Sequence, residues 1–224
     1  MKVETLALTL ILLTCHVFGQ DTISHVNGGY IDYISFVNNV PAYKYEFEIS
    51  KRSNQDIRSQ GGNDYQVICK DDTVNANIIN KKIWGIFQDD TLYLNGQVVD
   101  GIKYYVRVEL PGRYSFLRCA FPKRSKILKE LGIDTPYSEP PPEYWYGVLG
   151  DLMLSINRDK PLPLPRLPIV FDMQTHHRML LNKMNLIHLL KNHKSLLNGF
   201  EAEPDNTREI ILLEYLEKLN EAFH

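Results

Sequence analysis

Two adjacent carboxylate pairs, Asp71-Asp72 and Asp89-Asp90, are the first residues in this 224-residue chain that could do chemistry. Paired carboxylates divide the acid and base work of glycoside hydrolysis. Neighbouring side chains on a strand point to opposite faces, however, so neither pair aims both groups at one substrate. Asp89-Asp90 also lies between two strand-like runs, where a hairpin needs turn formers, and reads as a turn. His176-His177, His188 and His193 are the metal-ligating types. Zinc needs three or four convergent ligands, and neither H-E-x-x-H nor a Cys/His set is present; a solvated turn and surface histidines fit better. There is no Gly-x-Ser-x-Gly elbow, and Gly28-Gly29 and Gly61-Gly62 lack the Lys-Ser/Thr or helix that cradles phosphate. Hence no catalytic residue, no metal and no cofactor is assigned.

Binding is the remaining chemistry. Tyr144-Trp145-Tyr146 follows three prolines, and its aromatics could stack on sugar, anchor a partner, or pack between the two halves of the chain. Arg118, Lys123, Arg124, Lys126 and Lys129 make a basic stretch near Tyr114, Phe116 and Phe121. Lys and Arg total 25 against 27 Asp and Glu, a net charge of −2, so this is read as a solvated face and nucleic acid is not an expected partner. An envelope protein or a glycan is.

Lys2 precedes an apolar run from Leu6 to Val17, and Val17-Phe18-Gly19 carries the small residues of a signal-peptidase site. The run is too short to span a bilayer comfortably, and no stop-transfer pattern follows Gln20. A signal peptide over residues 1–19, cut at about Gly19/Gln20, is expected. The mature protein would then be exported, to the periplasm, the cell surface or beyond, with no transmembrane helix. A retained anchor and a lipoprotein through Cys15 are weaker alternatives, since Thr14 stands where a smaller residue is usual. Cys69 and Cys119 remain after cleavage, both at strand ends. One disulfide and two buried free thiols fit equally well.

The elements that would position these residues follow from periodicity. Asp32 caps a short helix bearing Tyr33, Phe36 and Val37, and Tyr43 to Ile49 alternates as a half-buried strand. Lys51 to Asp64 reads as a polar loop. From Tyr65 the chain reads as hairpins, with turns at Asp89-Asp90, Asn95-Gly96 and a type II Pro111-Gly112. Prolines at 161, 163, 165 and 168 read as an extended connector. A hairpin then spans Leu167 to Leu181, and Asn182 caps a helix to Leu190. A second helix covers about Ser195 to Glu203. The third opens on an Asn206-Glu209 capping-box spacing and carries Leu212, Tyr215, Leu216, Leu219 and Phe223 on one stripe.

Three stretches together carry a resemblance: Gly29-Tyr30 with Phe36-x-Asn38-Asn39-x-Pro41; Phe47-x-Ile49-x-x-Arg52-Ser53-x-x-Asp56-Ile57 through Gly61-Gly62-Asn63-Asp64-Tyr65; and Lys82-Ile83-Trp84-Gly85 with Leu92-Tyr93-Leu94-Asn95. With the Val170-Phe171-Asp172 hairpin and Leu189-Leu190-Lys191, they resemble a family of uncharacterised secreted proteins of Bacteroidetes, carried as a domain of unknown function. The likeness covers most of 28–120 and, more loosely, 166–220. At the second hairpin the family usually has Thr-Gly, where this chain has Thr175-His176. The resemblance implies export and a shared fold, and transfers no catalytic residue.

The expected architecture is α+β: an antiparallel β-sheet or small barrel of hairpins, then a β-hairpin and a C-terminal helical region. The expected organisation is a signal peptide over 1–19, an antiparallel β unit with a short N-terminal helix over 20–133, a Pro-rich connector over 134–165, and a hairpin plus three helices over 166–224. The leading function is a non-catalytic exported interaction or structural module of the bacterial envelope. An extracytoplasmic glycan hydrolase and a small-ligand-binding protein are the alternatives.

Overall fold

The computed structural model describes residues 25–60, 62–71, 76–99, 101, 103–120, 131 and 166–223. The expectations for the signal peptide, the 134–165 connector and Tyr144-Trp145-Tyr146 fall outside those residues. The chain is α+β, with an open antiparallel sheet followed by a C-terminal helical region. In chain order the elements are β1 (Gly28–Tyr30), α1 (Tyr33–Val37), β2 (Phe47–Lys51), α2 (Asn54–Gln60), β3 (Tyr65–Cys69), α3 (Ala76–Lys81), β4 (Gly85–Gln88), β5 (Thr91–Asn95) and α4 (Gly96–Val99). They continue with β6 (Tyr105–Leu110), β7 (Tyr114–Ala120), β8 (Arg166–Asp172), β9 (Arg178–Leu180), α5 (Lys183–Leu190), α6 (Lys194–Ala202) and α7 (Glu209–Glu221).

The strands lie in the order β1-β4-β5-β6-β7-β8-β9, and the β2–β3 hairpin joins the start of β6 through the pair Tyr65↔Tyr105. The sheet is open and does not close as a barrel. β6 is its branch point: its first half pairs with β5, and its second half pairs with β7 across a bulge between Val108 and Leu110. Alternation along the strands splits the apolar side chains among three cores. Leu94 and Val106 meet Leu117, Ile169 and Phe171 in the central one. Phe116 and Val170 face the other way, under Leu186, Phe200, Leu212 and Leu216 of the helices. Phe47, Val67, Ile79 and Tyr105 make the third, beneath the β2–β3 hairpin.

Several local expectations hold. Asp32 caps α1, accepting from the Ser35 N–H at 2.7 Å, and Ser35 completes a capping box. Asp89 and Asp90 both take positive φ, 51° and 56°, as a two-residue hairpin requires. Asn182 caps α5 through the Asn185 N–H at 2.9 Å.

Others are corrected. Residues 51–64 are not all loop, because α2 starts from a Ser53–Asp56 reciprocal cap, with the Asp56 N–H donating to Ser53 Oγ (3.1 Å) and the Ser53 N–H to Asp56 Oδ2 (3.2 Å). β3 and β4 are not a hairpin, since α3 intervenes and seats Ile79 in the core. Asn95-Gly96 leads into the one-turn α4. Pro111-Gly112 is not a type II turn: Gly112 has φ +146°, and a Cβ there would stand 2.4 Å from the Asn220 side chain. That amide accepts from the Tyr114 N–H (2.9 Å) and donates to its carbonyl (3.0 Å), fastening α7 to β7 as a strand neighbour would. Asn206 does not cap α7; Arg208 does, without a side-chain bond, while buried Asn206 donates to the Phe200 carbonyl. Pro168 lies inside β8, opposite Arg118, and not in an extended connector.

Buried Asn95 ties α3 to β5. Its Nδ2 donates to the Ile83 (2.7 Å), Asn80 (3.1 Å) and Ile79 (3.3 Å) carbonyls, and its Oδ1 accepts from the Gln97 N–H (3.0 Å). Asn95→Ala strands these groups inside the fold. Chemical denaturation should show a loss of about 2–4 kcal/mol.

Candidate functional site

Among the described residues, most of the exposed large apolar side chains lie on α1 and its flanks. One face of the helix is locked inward: the Phe36 ring lies 5.2 Å from Tyr30, 6.0 Å from Trp84 and 6.0 Å from Phe87, and Tyr33 leans on Trp84 at 6.2 Å. Positions 33 and 36 share that face, and helical geometry turns 34 away from it, while 37, one turn on from 33, stands at its margin. Ile34 is 70% exposed, and Ile31, Val37, Val40 and Val26 are each between 45% and 61% exposed. Of the three apolar residues read on this helix, Tyr33 and Phe36 pack inward and Val37 stands out. Val26 is drawn into the patch by its N–H, which donates to Asn39 Oδ1 at 2.6 Å, and by its carbonyl, which accepts from Tyr30 Oη at 2.6 Å. The signal for this surface was present in the spacing of Ile31, Ile34 and Val37, but a five-residue helix gives little period to read.

A concavity of about 390 Å³ runs between α7 and β6–β7. Ile210, Leu213, Glu214 and Glu217, spaced by helical turns, face Glu109, Leu110 and Phe116. Arg118 stands at its end, bonded to Glu109 (3.1 Å) and to Glu209, with its guanidinium 5.1 Å from the Phe116 ring centroid. Burial works against the charge on Arg118, but Glu209 and Glu109 outweigh it and hold the guanidinium above its ordinary range. Arg118 is therefore an ion-pairing residue and not part of a free basic face. Three carboxylates line this groove, yet Glu109 is paired with Arg118 and Glu214 with Lys218 (2.6 Å), both at the surface. A general acid needs a carboxyl buried away from cations, and this arrangement does not provide one.

The remaining chemistry-bearing residues are dispersed. His176 sits in the β8–β9 turn with φ +58° and stacks on Phe171, while His193 precedes α6 against Phe223 at 5.5 Å. Among the described residues no three His, Cys, Asp or Glu side chains converge as a metal site. Cys69 and Cys119 are not joined by a disulfide. Cys119 is fully buried in the central core. Half-buried Cys69 edges the third core, with Sγ 3.8 Å from the Glu46 carbonyl. It lines a groove of about 370 Å³ between β3 and α3. His25 stacks on Phe36 at 4.0 Å with Nδ1 buried and unpartnered.

These features define an α+β protein with exposed apolar and grooved surfaces around three hydrophobic cores. The profile of a family of unknown function (DUF6563) matches residues 28–222, and the chain belongs to that family. No curated protein and no solved structure matches it.

Two measurements check this geometry. A thiol reagent such as DTNB should titrate Cys69 in the native protein and Cys119 only on unfolding; a disulfide would give no titration until reduction. Burial, opposed by a smaller contact with the Phe36 backbone, pushes the His25 imidazole below its ordinary value of 6.5. The folded state thus resists the proton, so this stability is present above the unfolded value and lost as pH falls through the folded one. Between about pH 7.5 and pH 5.5, the melting temperature should fall more steeply for the natural protein than for His25→Phe.

Proposed function

We propose that the chain is a non-catalytic, exported interaction module of the bacterial envelope. The observation that carries this is the aliphatic patch on α1, because monomeric proteins seldom expose neighbouring large apolar side chains without covering them with a partner. Aliphatic side chains offer no ring face for stacking a sugar, which favours a protein partner over a glycan at this surface. The N-terminal Lys2, apolar run and Gly19/Gln20 junction support export, and the resemblance to secreted Bacteroidetes proteins is consistent with it. Tyr144, Trp145 and Tyr146 are offered as a second contact.

The glycan-hydrolase alternative has one observation in its favour, the convergence of Glu109, Glu214 and Glu217 on one groove. All three are exposed, and Glu109 and Glu214 are ion-paired, which argues for a role in surface charge instead.

Crosslinking of the mature protein in its native host, read by mass spectrometry, tests the reading. One dominant envelope protein should be captured and lost on Ile34→Asp, with Trp145→Ala reporting on the second contact. A clean monomer without a partner overturns it. The intact mass of the exported protein should correspond to a chain starting at Gln20, and retention of residues 1–19 overturns cleavage.

A further inference from the structure

We propose that the outward edge of β3 binds an extended peptide by strand addition and selects one with an acidic residue. The proposal rests on the reading of the chain as an interaction module and concerns a different surface from α1.

The argument starts from ladder parity. β2 and β3 pair from Phe47↔Cys69 to Lys51↔Tyr65, and the Arg52 N–H extends the ladder to the Asp64 carbonyl at 2.7 Å. In an antiparallel pair, alternate residues turn their N–H and C=O groups to opposite edges. Asp64, Gln66 and Ile68 therefore face β2, and Tyr65, Val67 and Cys69 face away from it. Tyr65 meets Tyr105 of β6, the one register pair between these strands, so among the described residues no strand meets Val67 or Cys69.

The chain leading into β6 is bent aside where it would have continued that pairing. Tyr104 has φ +76°, the left-handed region that bulky residues avoid, and the Lys103 carbonyl accepts from the Asn63 N–H at 3.3 Å. The bend is held by Arg52, whose guanidinium lies 3.5 Å from the Tyr104 ring centroid, and by the Tyr104 hydroxyl, which donates to Gln60 Oε1 at 2.7 Å. What opens beside Val67 and Cys69 is the 370 Å³ groove, walled by Ala76, Ile79 and Asn80 of α3. That wall is fixed, since the Tyr105 hydroxyl donates to the Ile79 carbonyl at 2.6 Å and Asn95 holds the Ile79 and Asn80 carbonyls.

An extended segment satisfies such an edge directly: main-chain hydrogen bonds supply affinity and alternate side chains supply selection. The edge accommodates about three residues at ~3.3 Å each. Lys103 is the charged residue lining the groove, is exposed, and makes no ion pair among the described residues. Its ammonium selects a carboxylate.

The test uses the mature protein, isotope-labelled for NMR, and blocked pentapeptides of alternating valine and threonine with aspartate or lysine at the centre. In the free protein the Val67 and Cys69 amides should exchange faster than those of Gln66 and Ile68. The aspartate peptide should bind at least about tenfold more tightly than the lysine peptide and should slow exchange at Val67 and Cys69. Lys103→Glu, at an exposed position, should reverse that preference, and Cys69→Pro, which removes an outward N–H, should weaken both peptides. Equal protection at all four amides in the free protein overturns the proposal, because the edge is then already paired within the chain or with a second copy. Binding without charge preference, or unchanged by Lys103→Glu, also overturns it. Ile34→Asp should leave peptide binding intact, so failure at α1 and failure at β3 are read separately.

Discussion

Two of the three cores are built on one ladder, the seven-residue pairing of β7 with β8 from Tyr114↔Asp172 to Ala120↔Arg166. Because side chains alternate across a strand, this one pair must serve two cores at once. Leu117, Cys119, Leu167, Ile169 and Phe171 go to the central core shared with β4–β6, and Phe116 and Val170 go to the helices. A slip of one residue would exchange the two sets and expose both cores. The register is guarded at both ends. Arg166 binds Asp64 through two bonds, at 2.5 and 3.1 Å, and Asn220 binds both backbone groups of Tyr114.

The surfaces available for binding follow from what that arrangement covers. Helices α5–α7 occupy one face of β7–β8 and leave the acid-rimmed groove only along the seam where α7 meets β6. The central core needs Tyr33 and Phe36 from α1 to close its end, which commits the opposite side of so short a helix to solvent. At the other end of the sheet, β6 cannot pair fully with both β3 and β7. It spends its length on β5 and β7, and the β2–β3 hairpin keeps a single point of attachment. The exposed aliphatic patch and the open strand edge are thus two consequences of how one set of strands shares its partners.

The chain belongs to a family of unknown function, and the fold shows what its recognisable stretches do here. Trp84, Phe36, Leu94 and Asn95, prominent in the recognisable stretches, are buried or bonded inside. Arg52, Ser53, Asp56 and Asn63 likewise serve local structure: Arg52 donates to the Asn63 carbonyl at 2.7 Å, and Ser53 with Asp56 starts α2. Residues that look chosen for chemistry are here chosen for turns and caps.

The sequence by itself determined what depends on near neighbours. The α+β class, the Asp32 and Asn182 caps, the Asp89-Asp90 turn and the inward stripe Leu212, Tyr215, Leu216 and Leu219 all rest on contacts within a few residues, so spacing displays them. α2 was legible in principle from Ser53 and Asp56, but its single buried apolar residue, Ile57, gave no period to confirm it. Tertiary structure decided what depends on distant partners. Gly112 is shaped by Asn220, Pro168 is held in a strand by β7, Asn206 is drawn inside by Phe200, and Val37, one turn on from Tyr33, is left half-exposed. The candidate surfaces belong wholly to this second group. A surface is what packing leaves uncovered, and no run of residues records which of its faces the rest of the chain will leave bare.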